Sequence, residues 1–325
     1  MTLPEAIHER PARPALSCVV PAYNEAANLP GMLTELIAQL RELTDRFEII
    51  VVDDGSRDDT ARVLAPFLAN PGVRCIHLSR NFGKEAALTA GIDHAEGDAV
   101  LLMDADRQHP ASLVPQMLEA WRRGVDMVCA ARASRGDETL AKRIGTWLFY
   151  RIVNANNAVP IPVDAGDFRL MDRRVVDALK ALPERNRFMK GLYAWVGFRT
   201  EIVPYTPAER HAGQSSFSMR RLARLAFTGL TAFSNLPLRL WSALGALIAF
   251  VALGYGGWII VEYFVWGIDV PGYATLVTGM MFFSGVQLLS IGILGEYVGR
   301  IFDEVKQRPV YVVGREVGRG ALRGE

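Results

Sequence analysis

The sequence has few cysteines and almost no net charge. Its 325 residues include three cysteines, and 36 Lys and Arg residues nearly balance 35 Asp and Glu residues. No two cysteines have the C-x-x-C spacing of a zinc site, and nothing indicates a disulfide framework, so we expect buried free thiols in a reducing compartment. Because no charge of one sign dominates, the composition argues against nucleic-acid binding.

Two common phosphate-binding motifs are also absent. No G-x-G-x-x-G follows the first apolar strand, which disfavours a dinucleotide-binding fold of the dehydrogenase kind. No G-x-x-x-x-G-K-[ST] occurs, so a P-loop protein is excluded. Residues 1–15 lack the apolar core of a signal peptide and are predicted to be a flexible lead-in.

Two long uncharged runs stand near the C-terminus. Leu240–Val261 and Val270–Gly295 are about 22 and 26 residues long, and each is long enough to cross a hydrocarbon core of about 30 Å as a helix. The alternative, a buried helix of a soluble domain, would have to apply twice in succession. We therefore predict a transmembrane hairpin over residues 239–301, followed by a cytoplasmic tail over residues 302–325.

Basic residues flank this hairpin on both sides and predict its orientation. Positive residues mark the cytoplasmic side, which places the N-terminal domain and both termini in the cytoplasm of a multi-pass inner-membrane protein. Residues 216–238 are predicted to form an amphipathic helix, with Arg220 and Arg221 near lipid headgroups. An ordinary surface helix with solvated arginines is the alternative. The flanking residues are Arg220, Arg221, Arg224 and Arg239 before the hairpin, and Arg300, Lys306, Arg308 and Arg315 after it.

Short apolar runs alternate with helical patterns over residues 16–215. This alternation predicts βαβ units in a doubly wound, mostly parallel α/β sheet. The predicted strands are Leu16–Val20, Glu48–Val52, Val73–Leu78, Ala99–Met103 and Asp126–Ala130. The predicted helices are Asn28–Leu43, Asp58–Leu68, Gly83–Ala95 and Ala111–Arg123.

Polar side chains follow three of these strands where each strand ends. Asp104 and Asp106 come one residue apart after the fourth strand, and oxygen ligands of this kind suit Mg²⁺ or Mn²⁺ shared with substrate phosphates. Taken alone, the pair has a second interpretation as a solvated acidic turn. Because the segments Pro21–Glu25 and Asp53–Ser56 follow the first two strands, the three polar ends together predict a ligand site at one edge of the sheet.

Six motifs in this order resemble the glycosyltransferase family 2 enzymes that act on polyprenyl phosphates, of the bactoprenol glucosyltransferase and dolichol-phosphate mannose synthase type. The resemblance runs from about residue 16 to about residue 313. It implies a GT-A fold, a nucleotide-sugar donor with UDP-glucose first, one Mg²⁺ or Mn²⁺ ion, and inverting transfer to a lipid such as undecaprenyl phosphate. It also implies a homo-oligomer, with a tetramer as the family's state. The motifs are VPAYNE (20–25), VDDGS (52–56), SRNFGK (79–84), MDADRQ (103–108), GDFRLM (166–171) and RFMKG (187–191).

The resemblance also implies roles for individual residues. The nucleotide-sugar site would comprise Pro21, Tyr23, Glu25, Asp54, Asp104, Ala105 and Arg132. Asp104, Asp106 and Gln108 would hold the metal, and Asp167, Asp106 and Arg210 would be the catalytic groups. The acceptor phosphate would meet Arg169, Arg210, Arg220 and Arg221.

Several residues keep a second interpretation. A phosphate monoester is mostly dianionic at cytoplasmic pH, so Asp167 would orient the acceptor rather than act as a strong base, and capping of backbone N–H groups is its structural alternative. Lys84 would contact a phosphate or be solvated, and His109 is predicted to be a loop residue. The sequence departs from the family pattern at Arg107, His109 and Ser216, and the last of these usually carries a cation.

Three functions remain as alternatives to this reading. One is the same reaction with another nucleotide sugar. A second is a processive polysaccharide synthase, against which stand the two predicted spans and the absence of a QxxRW-like signature. The third is a membrane-anchored protein that binds a nucleotide sugar without catalysis.

Overall fold

The computed structural model describes residues 10–132, 165–185, 187–205, 236–266 and 272–322. Eight strands in these ranges form one mixed sheet in the order β7-β5-β6-β4-β1-β2-β3-β8. The strands are β1 Leu16–Ala22, β2 Phe47–Asp53, β3 Val73–Leu78, β4 Ala99–Leu102, β5 Met127–Arg132, β6 Ala165–Asp172, β7 Thr200–Tyr205 and β8 Val313–Gly318.

Helices cover the two faces of the sheet or form the C-terminal hairpin. Short 3₁₀ turns, Ala65–Ala69 and Ala111–Leu113, follow α2 and precede α4. The helices are α1 Leu29–Leu43, α2 Thr60–Leu64, α3 Lys84–His94, α4 Val114–Arg122, α5 Arg173–Ala181, α6 Met189–Trp195, α7 Leu236–Trp266 and α8 Tyr273–Val305.

The centre of the sheet is parallel, as predicted. Strands β3, β2, β1 and β4 lie side by side in parallel register, and their alternating apolar residues fill one core on each face. The flanks differ from the prediction, because β6 runs antiparallel between β4 and β5, and β8 runs antiparallel beside β3. The sheet is therefore mixed, and its parallel centre brings the ends of β1, β2 and β4 to the same edge.

Two predicted boundaries need correction. Residues 302–325 were expected to be a tail, but β8 lies within them and extends the sheet. The lead-in was expected to be flexible through residue 15, yet Arg10 forms ion pairs of 3.0 Å with Asp126 and 3.3 Å with Asp172. The described part of each segment is tied to the sheet domain by charged groups, Arg10 through Asp126 and Asp172 and β8 through the ion pair of Glu316 with Arg74.

The predicted helical hairpin is confirmed as two long helices, α7 and α8. In the part of the chain that the structure describes, only Thr275–Val305 is long and apolar enough to cross a membrane, and the apolar stretch of α7 is Ala243–Ile259. Large apolar side chains on both helices are exposed, including Phe250 at 77% and Phe264 at 80%. The helix α8 continues beyond the predicted end at residue 295, and most of the predicted interfacial helix lies outside the described residues.

A buried ion-pair cluster attaches β8 to the sheet. Arg74 and Glu48 are both 0% exposed, and Arg74 Nε donates to Glu48 Oε2 at 3.0 Å. Arg74 Nη1 also donates to Glu316 Oε1 of β8 at 2.7 Å. Because buried charges are tolerated only with partners, Arg74 links the start of β2, the start of β3 and the C-terminal strand.

We expect Arg74→Met to reduce the free energy of unfolding by about 3–5 kcal/mol, since it leaves the Glu48 carboxylate buried without its partner. The matched control is Arg13→Met. Arg13 pairs with Asp45 at 2.7 Å, but the two side chains are 58% and 73% exposed, so its loss should cost less than about 1 kcal/mol. Chemical unfolding of the full chain in detergent micelles measures both, and equal losses would contradict the cluster's structural role.

Candidate active site

A cavity of about 320 Å³ opens at the edge of the sheet where β1, β2 and β4 end. Segments after these three strands and the start of α3 form its walls. Six of the residues predicted for the nucleotide-sugar site line it, together with Asp106 of the predicted metal set: Pro21, Tyr23, Glu25, Asp54, Asp104 and Ala105. The cavity is also lined by Ala22, Asn81, Gly83, Lys84 and Ala87.

Asp54 holds the loop that leads into α3. Its side chain accepts hydrogen bonds from the backbone N–H groups of Phe82 at 2.7 Å and Gly83 at 2.9 Å. Burial raises the pKa of Asp54, although these two bonds favour the carboxylate. The turn before this loop depends on Gly55, whose φ is +68° and where a Cβ would lie 2.6 Å from the carbonyl carbon of Arg80. Asp54 therefore shapes one wall of the cavity whatever else it contacts.

Lys84 joins the carboxylates of Asp104 and Asp167. Its Nζ lies 2.7 Å from Asp104 Oδ1, 2.8 Å from Asp104 Oδ2 and 2.7 Å from Asp167 Oδ2. Burial opposes the ammonium charge, but the two carboxylates outweigh it and raise the pKa of Lys84. Burial likewise opposes the charge of Asp167, yet Lys84 and Lys190 lower the pKa of that carboxyl. Sequence analysis left Lys84 undecided, and the structure places it at the centre of the site.

Acidic groups crowd the other side of the cavity. Burial raises the pKa of Glu25, and the neighbouring charges of Asp106 and Asp104 raise it further. Asn28 opposes this by donating to Glu25 Oε2 at 2.7 Å. A bound cation would relieve the repulsion that these carboxylates exert on Glu25.

The sequence is similar to proteins of a known family. The family model described as glycosyl transferase family 2 matches residues 17–180. A bactoprenol glucosyl transferase derived from prophage SfII in Shigella flexneri is 44% identical over 300 residues, covering 92% of this chain and 97% of the relative. An uncharacterised glycosyltransferase of Synechocystis is 46% identical over 299 residues, covering 92% and 94%.

The chain belongs to glycosyltransferase family 2. The resemblance drawn from the six motifs is thereby confirmed. A second model, described as the GtrB C-terminal hairpin, matches residues 236–301 of this glycosyltransferase. A solved glucosyl-3-phosphoglycerate synthase from Mycobacterium tuberculosis, in complex with Mn²⁺, UDP-glucose and phosphoglyceric acid, is 21% identical, covers 67% of this chain and 78% of that one, and has a TM-score of 0.47. That likeness is too remote to inform the site.

The carboxylate oxygens in the cavity of this glycosyltransferase fit a divalent cation that substrate phosphates would also bind. Among the described residues no group of three His, Cys, Asp or Glu side chains is arranged as a complete metal site. Mg²⁺ is usually held by one or two carboxylates together with substrate phosphates, which is what Asp104 and Asp106 offer. The side chain of Gln108 is only 8% exposed, and its backbone N–H donates to Asp106 Oδ1 at 3.1 Å. A metal contact from the Gln108 amide therefore stays a prediction.

His109 supports the metal-side segment in a way that sequence reasoning missed. Its Nδ1 accepts a hydrogen bond of 3.2 Å from the backbone N–H of Asp104, and its ring stacks on Phe168 with 4.7 Å between centroids. Burial lowers the pKa of His109, which keeps the imidazole neutral and able to accept that bond. The only feature of the sequence that indicates this contact is the position of His109 five residues after Asp104. A turn between them brings the imidazole back to the end of β4.

Arg169 lies deeper than its predicted role requires. It is 2% exposed, its Nη2 donates to Gly166 O at 2.6 Å, and its guanidinium lies 3.5 Å from the centroid of the Tyr193 ring. It contributes positive charge behind Asp167, while direct contact with an acceptor phosphate stays a prediction. Arg132 ends β5 outside the cavity lining, and Arg210, Arg220 and Arg221 lie outside the described residues.

Glu85 adds a buried carboxyl that sequence analysis did not single out. Its Oε2 accepts a hydrogen bond of 3.1 Å from the backbone N–H of Met189 at the start of α6. Burial, reinforced by the charge of Asp167, raises the pKa of Glu85 to about 7. Glu85 therefore stays protonated to a higher pH in the folded chain than in the unfolded chain, and it ties α3 to α6 beside Asp167.

We expect Glu85→Gln to raise the melting temperature at pH 8 and to change it little at pH 5. The folded chain binds the Glu85 proton more tightly than the unfolded chain, so stability falls as pH rises from about 4.5 to about 7. The amide can still accept the Met189 bond, and each kcal/mol gained corresponds to about 2–4 °C. Thermal unfolding at the two pH values, with exposed Glu42→Gln as the control, measures this. An identical temperature difference at both pH values would contradict it.

Proposed function

We propose that this glycosyltransferase transfers a hexose, with glucose from UDP-glucose as the first candidate, to a polyprenyl phosphate such as undecaprenyl phosphate. One observation carries the proposal: a carboxylate-lined cavity and an apolar two-helix hairpin occur on one chain. A relative that aligns with 92% of that chain is named bactoprenol glucosyl transferase. A lipid acceptor explains why a nucleotide-sugar site and a membrane hairpin are combined.

The donor would occupy the cavity at the ends of β1, β2 and β4. Tyr23 is 42% exposed at its rim and offers an aromatic face to a nucleotide base. Asp104 and Asp106 would hold the Mg²⁺ or Mn²⁺ ion. When bound, the ion neutralises charge that develops on the leaving nucleoside diphosphate. Asp54 and His109 keep the two walls of the cavity in place.

The acceptor would bind on the side of Asp167. One oxygen of the lipid phosphate forms a bond with the anomeric carbon, and the bond from that carbon to the diphosphate oxygen breaks, so the leaving group takes the electron pair. Because a phosphate monoester is mostly dianionic at neutral pH, it needs little help from a base. Asp167 orients this acceptor, and Lys84, Lys190 and Arg169 offset the repulsion between the two anions. Attack opposite the leaving group inverts the anomeric carbon.

The hairpin would hold the catalytic domain at the cytoplasmic face of a bacterial inner membrane. Basic residues after α8 favour the cytoplasmic side. The end of α8 also contacts the domain, because Arg185 N donates to Glu304 Oε1 at 2.9 Å. Tyr311 Oη donates to Asp93 Oδ2 at 3.0 Å just before β8. An assembly of several copies stays a prediction.

The test is transfer by the full chain in detergent or lipid nanodiscs with undecaprenyl phosphate and a panel of labelled nucleotide sugars. We expect a labelled lipid product from UDP-glucose with Mg²⁺ or Mn²⁺, and its loss with EDTA. Asp106→Asn should reduce transfer roughly 10²- to 10³-fold, as loss of transition-state charge stabilisation does elsewhere. Nucleotide-sugar binding without transfer would support a binding protein instead, and product from another sugar would correct the donor.

We expect Asp167→Asn to reduce turnover by roughly ten- to a hundredfold and to leave the product inverted, since orientation rather than proton removal is lost. Loss of a general base would cost roughly 10²–10⁴-fold and shift the acid limb of the pH profile. Turnover and product anomer, measured across pH values, separate the two roles. Near-normal turnover would remove Asp167 from the site.

A further inference from the structure

The contacts of Lys84 impose a competition at the donor end of the site. Both carboxylate oxygens of Asp104 lie within 2.8 Å of Lys84 Nζ. The same two oxygens are the ones that Asp104 would present to a divalent cation. An ammonium and a divalent cation bound to the same carboxylate repel each other, so each weakens the binding of the other. Binding of the cation there therefore favours departure of the lysine from Asp104.

Lys84 has a second partner, Asp167, with which it can stay paired after leaving Asp104. Its Nζ is also 2.7 Å from Asp167 Oδ2, and Asp167 lies on β6 rather than on the β4 segment that carries Asp104. The lysine side chain is 46% exposed, whereas those of Asp104 and Asp167 are 24% and 14% exposed. A flexible four-carbon stem on the more exposed partner is the part that can move.

We propose that Lys84 is a positioning residue that occupies Asp104 until a divalent cation displaces it, and that it then stays on Asp167 facing the acceptor phosphate. The inference rests on the proposed function and deepens it. Arrival of the metal-bound donor would then free an ammonium group for the acceptor side. Before the donor binds, the Lys84 ammonium offsets the repulsion between Asp104 and the neighbouring carboxylates. Afterwards it offsets the negative charge of Asp167.

Two opposite effects of one substitution follow. Lys84→Met removes the competitor, so Mn²⁺ should bind the nucleotide-free chain about three- to tenfold more tightly, as expected for loss of a partly exposed ion pair. The same change removes the ammonium paired with Asp167 and leaves only Lys190 and Arg169 to offset its charge, so the KM for the lipid acceptor should rise about tenfold. If Lys84 had only a structural role, its substitution would weaken both Mn²⁺ binding and acceptor binding. Lys84→Arg, which keeps the charge, should restore wild-type Mn²⁺ affinity and part of the acceptor KM.

The experiment titrates the full chain in detergent with Mn²⁺ alone and measures free Mn²⁺ by electron paramagnetic resonance. Lys190→Met is the matched control, because Lys190 also lowers the pKa of Asp167 but has no ion pair with Asp104 among the described contacts. Its Mn²⁺ affinity should change less than about twofold. Lys84→Gln gives a second reading if the methionine variant unfolds.

Unchanged or weaker Mn²⁺ binding by both Lys84→Met and Lys84→Gln would overturn the inference, as would an equal gain in Lys190→Met. These outcomes do not depend on transfer. If the wild-type chain transfers no sugar, the proposed function fails while the Mn²⁺ titration still tests the competition. If the wild-type chain transfers sugar and the affinities do not differ, only the role of Lys84 fails.

Discussion

Repulsion among carboxylates at one edge of the sheet is the constraint on which the site depends. Parallel pairing of β1, β2 and β4 brings Glu25, Asp54, Asp104 and Asp106 to the same cavity. Such a concentration of negative charge is unfavourable without compensation. Backbone N–H groups partly compensate Asp54 and the Lys84 ammonium compensates Asp104, but the pKa values of Asp54 and Glu25 both remain raised. The edge is therefore built to receive positive charge.

The rest of the fold keeps this edge in place. Apolar residues of the parallel strands fill cores on both faces, so the strand ends cannot shift independently. At the opposite ends of β2 and β3, the Glu48–Arg74–Glu316 cluster joins the C-terminal strand to the sheet. The sheet thus carries two groups of charged residues. The Glu48–Arg74–Glu316 cluster is paired and stabilises the fold, whereas the carboxylates at the cavity leave room for an additional cation.

Periodicity predicted the parallel centre because its strands are continuous apolar runs with helices between them. All five predicted strands exist, within two residues at either end. The strand β6 carries Asp167 and Arg169 within its span, and such charges interrupt the pattern by which buried strands are recognised. The exposed strand β8 shows no inward-facing apolar set, since its stability comes from backbone pairing and from Glu316.

The donor residues were predictable for a related reason, and the contacts of Lys84 and His109 were not. Polar residues that directly follow predicted parallel strands must meet at one edge, so sequence order alone brings Asp54 near Asp104. Lys84 reaches Asp104 and Asp167 across 20 and 83 residues of sequence, and which rotamer it adopts depends on both partners. His109 lies in a loop as predicted, but its contacts were not predictable, because a loop histidine becomes a structural acceptor only when its turn and Phe168 place the ring.

The position of β8 links the membrane hairpin to the site through the backbone. The strand β8 begins eight residues after α8 ends and pairs with β3. The hairpin therefore lies in the sequence between the first seven strands of the sheet and the eighth. A domain joined to a hairpin by one chain end could rotate freely, but one held before α7 and again at β8 has a restricted orientation. A lipid phosphate is itself confined to the membrane surface. Under the proposed function, the C-terminal strand therefore limits which direction the cavity faces.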